Sequence, residues 1–251
     1  MFINYAHRGA SAYAPENTMA AFRMGVAMGA NGIETDIRRT RDGVPVLFHD
    51  ESLLRLTGID RKIADLTWAE LSTIRIASPD GMVTDTVPRL AEFLEYVKDL
   101  PVALALEIKA EGMEAAVRQA IDRYGVANRC VVTAFEIGYL CRLKELDPTA
   151  KIGLLTREVN SVVLASLKEI SAEQICPKAD LVTPELVRDL HNEGFSVRAW
   201  GVRDEAVMEK ILRCGVDGMT VNFPDKLRAL LDREKPYALK GARRAPQFSK
   251  R

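Results

Sequence analysis

Aromatic residues make up only 6% of the 251 positions, cysteine occurs four times and histidine three. Cys130, Cys141, Cys176 and Cys214 are scattered without a CxxC pair, so no thiolate zinc site or redox pair is written into the chain. A chain of this length needs no disulfide staples either. Free thiols in a reducing, cytoplasmic setting are therefore expected. Net charge is also missing: 35 basic residues balance 35 acidic ones, which leaves no overall field to gather nucleic acid or an anionic membrane. No stretch approaches the roughly 20 apolar residues that span a bilayer, and MFINYAHRGA lacks the basic segment, apolar run and cleavage site of a secretory leader. Stable membrane insertion and a nucleic-acid partner are thus not expected, while a local basic site and a homo-oligomer remain open.

What is present is an alternation of short apolar runs with amphipathic stretches, the pattern of parallel α/β folds. Strands are expected near 4–6, 32–37, 102–108, 130–133, 152–155, 174–176, 196–200 and 218–221. Helices are expected over 18–28, 89–100, 113–124, 139–146, 161–170, 184–193 and 204–214, several opening on a capping residue or an early proline. Eight strands with covering helices favour a closed (β/α)₈ TIM barrel as one domain, 1–251, over an open doubly wound sheet. The segment about 50–88 resembles an insertion, and the basic tail from Arg233 reads as a surface segment or frayed end. After the second strand come TRDG and VPVLF, with no room for a crossover helix. The pair must be an antiparallel hairpin about Asp42-Gly43, which puts Glu34 roughly level with His49.

Glu34 and Asp36 are two apart on a strand and so share a face. Both faces of a parallel barrel strand are usually apolar, and two buried carboxylates without compensation would cost several kcal/mol. Glu107, in ALALEIKA, adds a third acid at a strand end and shares a face with Lys109. Three carboxylates suit a hard divalent cation, Ca²⁺, Mg²⁺ or Mn²⁺, rather than Zn²⁺; a Lys–Glu–Asp salt-bridge layer is the alternative. His7 and His49 also stand at strand ends, where imidazoles of near-neutral pKa can exchange protons with attacking and leaving oxygens. Arg8 and Lys109 supply positive charge for a phosphate, unless Arg8 merely pairs with Glu16 or Glu34. Gly9 would let the backbone approach closely.

AHRGASAYAPENT, GIETDIRRTRDGVPVLFHDESLLRLTG and LALEIK together resemble the glycerophosphodiester phosphodiesterase family, and WGVRD and GVDGMTVNFPDKL extend the resemblance over nearly the whole chain. The resemblance implies a (β/α)₈ barrel and a divalent metal. It also implies a small glycerophosphodiester substrate, cleaved to an alcohol and glycerol 3-phosphate. It casts His7 and His49 as acid and base, Glu34, Asp36 and Glu107 as metal ligands, and Arg8 and Lys109 as phosphate holders. Glu16 and Asn17 would organise the first loop, and Trp200, with Phe135 as a second wall, would line the glycerol side. Gly201, Arg203, Asn222 and Ala134 depart from the family's pattern. They bear on which diester is preferred.

Two rivals stay in view. A phospholipase D- or C-like hydrolase of lysophospholipids would need an apolar entry surface, and a silent barrel that only binds phosphorylated ligands would have no use for paired histidines.

Overall fold

In the computed structural model, which describes residues 1–241, the strands in chain order are β1 (Ile3–His7), β2 (Gly32–Arg39), β3 (Pro45–Leu47), β4 (Arg75–Ala77), β5 (Thr84–Thr86), β6 (Ala103–Ile108), β7 (Cys130–Ala134), β8 (Ile152–Thr156), β9 (Gln174–Pro177), β10 (Ser196–Val202) and β11 (Gly218–Val221). β1, β2 and β6 to β11 run parallel around a ring that closes between β11 and β1. This is the (β/α)₈ barrel, and the open sheet is ruled out.

The helices are α1 (Met19–Ala27), α2 (Leu54–Thr57), α3 (Trp68–Leu71), α4 (Leu90–Val97), α5 (Glu114–Arg123), α6 (Ile137–Leu146), α7 (Ser161–Glu169), α8 (Pro184–Asn192), α9 (Glu205–Arg213) and α10 (Pro224–Gly241). Thr18, Asn160, Thr183 and Asp204 each accept a backbone N–H from the first turn of α1, α7, α8 and α9, satisfying donors that a helix start leaves orphaned. The α10 backbone stays helical past Arg233, into the stretch read as a surface segment or frayed end. The remainder of the basic tail, 242–251, lies outside the described residues. None of the described helices is long and apolar enough to cross a membrane.

Alternate side chains on the barrel strands divide sharply. Ile33, Ile37, Leu104, Leu106, Val132, Ile152, Ile175, Val197 and Met219 belong to the continuous apolar layer beneath the helices. Burying each such side chain contributes about 1.5–3 kcal/mol. The interior set is polar: Tyr5, Glu34, Asp36, Glu107, Thr133, Gln174, Arg198 and Thr220 are all buried. The expectation of two apolar faces is thereby corrected. The Tyr5 ring fits because two neighbouring positions lack a side chain: a Cβ at Gly32 would stand 2.7 Å from it and one at Gly218 3.2 Å.

β3 pairs antiparallel with β2, Ile37 opposite Leu47, and the Phe48 N–H continues the ladder to the Asp36 carbonyl at 3.0 Å. β1 occupies that edge of β2 only as far as Glu34, so β3 takes the part left free. This register sets Glu34 level with Asp50, one residue beyond the expected His49. Past β3, Leu53, Ile63, Leu66, Leu71 and Ile76 from residues 50–88 bury a small second cluster together with Val46 and Phe48. The β4–β5 ribbon ties it to the barrel, because Asp85 accepts the Ala20 N–H at 2.8 Å in the first turn of α1, where the helix dipole favours an anion.

α1 also explains Gly9. Its φ is +81°, and a Cβ there would lie 2.4 Å from the Ala21 backbone carbon. The close approach is to α1 itself, which bonds the same loop through Ala10 N–H and Ala21 O at 2.9 Å. Gly9→Ala is expected to destabilise the fold by about 3 kcal/mol or more, from overpacking plus a left-handed backbone. A urea midpoint within experimental error of wild type would show that α1 can give way.

Candidate active site

The C-terminal ends of β1, β2 and β6 bring the predicted acids together. One carboxylate oxygen from each of Glu34, Asp36 and Glu107 lies within 4.8 Å of the others, and all three residues are buried. Asp36 sits opposite Glu107 in the β2–β6 register, and His7 opposite Glu34 in the β1–β2 register. Parallel pairing thus turns three distant stretches of sequence into one cluster.

Two cations face the three acids. Lys109 Nζ stands 2.6 Å from Glu107 and 3.4 Å from Asp36, and Arg8 Nε stands 3.2 Å from Asp36. Arg8 also donates to Glu16 at 2.8 Å, so the pairing foreseen as its alternative role is present, with Asp36 added. Arg8 and Lys109 hold Asp36 well below the usual carboxylate range despite its burial. The remaining acids are only partly compensated, Glu107 by Lys109 and Glu34 by Arg8. Burial and the Asp36 and Glu107 charges push Glu34 up to about 8, and burial with Asp36 pushes Glu107 up to about 7. Asp36 Oδ1 and Glu107 Oε1 are buried and share one cation, the Lys109 ammonium, at 3.4 and 2.6 Å. Buried oxygens that share a single ammonium, an all-carboxylate donor set and one acid in excess of the adjacent cations fit a hard divalent ion.

The first loop is fixed by two residues in the left-handed region, Arg8 at φ 55° and Asn17 at φ 57°. Asn17 tolerates it and uses both ends of its amide: Nδ2 donates to Asp36 at 2.9 Å, while Oδ1 accepts from Thr35 Oγ1 at 2.7 Å. Glu16 links Arg8 to Arg55 of α2, which donates to it at 2.9 and 2.7 Å. Arg38, two residues beyond Asp36 on β2, donates to the backbone carbonyls of His49 at 2.8 Å and Lys109 at 3.3 Å. The period-2 spacing could have exposed Arg38 beforehand. Nothing in the sequence pairs Glu16 with Arg55.

The histidines have unequal partners. His7 Nδ1 donates to the neutral Asn222 Oδ1 at 2.6 Å, which leaves Nε2 as the lone-pair nitrogen, 3.9 Å from Glu34. His49 Nδ1 donates to the Asp50 carboxylate at 2.6 Å, and Asp50 is held in turn by Arg55. Burial and Arg8 keep His7 below the usual imidazole range; burial also lowers His49, against the pull of Asp36. Both partners favour the protonated ring, the neutral amide oxygen less than a carboxylate. Asn222→Asp is expected to raise the His7 pKa and move the acid limb of the pH–rate profile up by about one unit. An unmoved limb would separate His7 from the titration that controls the rate.

Trp200 and Phe135 stand together at the same mouth, edge to face with centroids 5.2 Å apart. Trp200 Nε1 donates to the Cys176 carbonyl at 3.0 Å, and Lys109 Nζ lies 5.5 Å from the Phe135 centroid, joining the aromatic pair to the acids. Arg157, which the sequence reading did not single out, stacks over both rings, 4.6 Å from Phe135 and 5.4 Å from Trp200. It follows β8 directly, and a strand-end position is the only signal that could have flagged it.

The model of the glycerophosphoryl diester phosphodiesterase family matches residues 7–226. The chain belongs to that family. A glycerophosphodiester phosphodiesterase of Bacillus altitudinis is 34% identical over 234 residues, covering 88% of this chain and 95% of the relative. The structure of an Oleispira antarctica phosphodiesterase in complex with the product sn-glycerol-3-phosphate superposes with a TM-score of 0.83 at 27% identity, covering 91% and 96% of the two chains. A glycerophosphodiester phosphodiesterase from Thermotoga maritima gives 0.77 at 27% identity, covering 92% and 99%. This phosphodiesterase is accordingly an enzyme, and its barrel is the family's barrel.

Proposed function

We propose that this phosphodiesterase hydrolyses small glycerophosphodiesters to an alcohol and glycerol 3-phosphate, with Glu34, Asp36 and Glu107 holding a divalent cation, Ca²⁺, Mg²⁺ or Mn²⁺. The convergence of three buried carboxylates to within 4.8 Å carries the reading, since two adjacent cations leave one acid uncompensated. The bound ion would polarise a phosphate oxygen and offset charge developing on it. Arg8 and Lys109, already tethered to the acids, would present their remaining N–H donors to the phosphate. His7, with Nε2 unprotonated, takes the proton of the attacking oxygen, and His49, backed by Asp50, protonates the departing alkoxide. Phe135 and Trp200 form an apolar wall for the glycerol carbons, and the four free thiols fit a reducing, cytoplasmic location.

An assay of glycerol 3-phosphate release over a panel of head groups, with chelator and then with each metal restored, tests this. Activity should vanish on chelation and return with a hard divalent ion; full activity in chelator would overturn the metal assignment. A second reading, hydrolysis of lysophospholipids at an interface, draws on the exposed Leu54, Ile59 and Met82, all on the segment between β3 and α4. Faster turnover of lysophosphatidylcholine micelles than of glycerophosphocholine would favour it.

A further inference from the structure

The barrel has a second mouth, at the N-terminal ends of its strands. A cavity of about 330 Å³ opens there, bordered by Ile3, Ala103, Val131, Gln174, Ser196 and Gly218. Arg129, immediately before β7, Lys151, immediately before β8, and Arg198 of β10 also line it. The carboxylate in that lining, Asp217, is occupied by the Val197 N–H at 2.7 Å and by His191 Nε2 at 2.9 Å. Every hydrogen-bond partner that the three cations have among the described residues is neutral. Arg129 donates to the Val102, Val97 and Lys98 carbonyls, Lys151 to the Asn128 carbonyl, and Arg198 to Gln174 Oε1 and Thr220 Oγ1, with the neutral Cys176 thiol also against its guanidinium.

Arg198 is the telling member. It is 1% exposed, its guanidinium lies 5.2 Å from the Tyr5 ring centroid, and its Nη2 has no hydrogen-bond partner. Glu34 and Glu107 offset part of its charge along the barrel axis, but they touch none of its N–H groups. A buried guanidinium with an idle donor and no contacting anion is costly, and this one lines a cavity open at the barrel mouth, where a ligand would supply the missing partner. A planar donor fork with an outlying ammonium matches a tetrahedral oxyanion.

We propose that the N-terminal mouth is a small-oxyanion site, taking inorganic phosphate or a phosphomonoester, with Arg198 Nη2 as its buried donor and Lys151 as its outer cation. It lies at the opposite end of the barrel from the acids, since active sites of this fold occupy the C-terminal face. The inference does not depend on the reaction assigned above.

The Arg198 Nε–H resonance of the ¹⁵N-labelled, Mg²⁺-saturated protein reads the site directly, identified by its loss in Arg198→Met or, should that variant not fold, Arg198→Lys. Inorganic phosphate should shift it saturably, while chloride at matched ionic strength should not. Lys151→Gln should weaken the apparent affinity about tenfold, as loss of one charge-assisted hydrogen bond requires. A parallel titration with glycerol 3-phosphate tells a phosphomonoester site, shifting at lower concentration, from one that prefers the free ion; either supports the proposal. No shift at tens of millimolar phosphate, an equal shift with chloride, or a phosphate affinity unchanged in Lys151→Gln would overturn it, the last placing the anion at the acid-lined mouth.

Discussion

Replacing His49 with alanine lowers kcat by about 10²–10⁴-fold, the range of a general acid or base, with little change in the unfolding midpoint. Its ring makes one side-chain hydrogen bond, to Asp50 at 2.6 Å, and packs into neither apolar cluster. The loss should be smallest for diesters whose leaving alcohol is already acidic, because such an alkoxide needs no proton. A p-nitrophenyl diester and a glycerol diester, assayed side by side, check this. Equal losses on both would move His49 from proton donor to some other role, and wild-type turnover would remove it from the chemistry.

Glu34→Gln should split function from stability. Metal affinity falls by more than the roughly 10–100-fold that loss of a supporting outer group costs, and activity falls with it. The metal-free variant should nonetheless melt at a higher temperature than metal-free wild type at pH 8. Folding raises the Glu34 pKa from an ordinary 4.5 to about 8. The folded state therefore holds a proton that the unfolded state gives up. Stability from this group is intact below about pH 4.5 and is lost as pH rises through 8. Glu107, raised to about 7, acts in the same direction, and Asp36, being depressed, stabilises throughout this interval and loses its contribution only in more acid solution. Melting curves in chelator at pH 5 and pH 8 should show wild type losing stability over that interval and Glu34→Gln losing less. Parallel curves would mean that the acids are ionised without a cation.

Much of this was legible in the chain because it rests on period and spacing. Glu34 and Asp36 had to share a face, the short TRDG connection had to make a hairpin, and the eight apolar runs had to be strands. The hairpin register slipped by one residue because Thr40 closes the turn with its side chain, accepting the Val44 N–H at 2.9 Å; a motif fixes the turn but not its hydrogen bonding. β4 and β5 escaped notice because Arg75-Ile76-Ala77 and Thr84-Asp85-Thr86 are three residues each and largely polar. Arg198, two residues before Trp200 on β10, could have been read by the same face rule that found the acids. The rule of apolar barrel interiors concealed it. Arg55 of α2 and Arg157 after β8 act through contacts between segments distant in sequence, which no local pattern encodes.

The clasp of Glu16 by both Arg8 and Arg55 has an engineering corollary. Residues 50–88 fold as a small annex with an apolar heart, which invites transplantation between relatives. One of its guanidiniums nevertheless steadies the acid that steadies Arg8. A chimera whose borrowed annex lacks a base at position 55 would fold around its own cluster and still leave Arg8 tugged by an unshared carboxylate, so exchanging that annex amounts to editing the acid-lined mouth from outside.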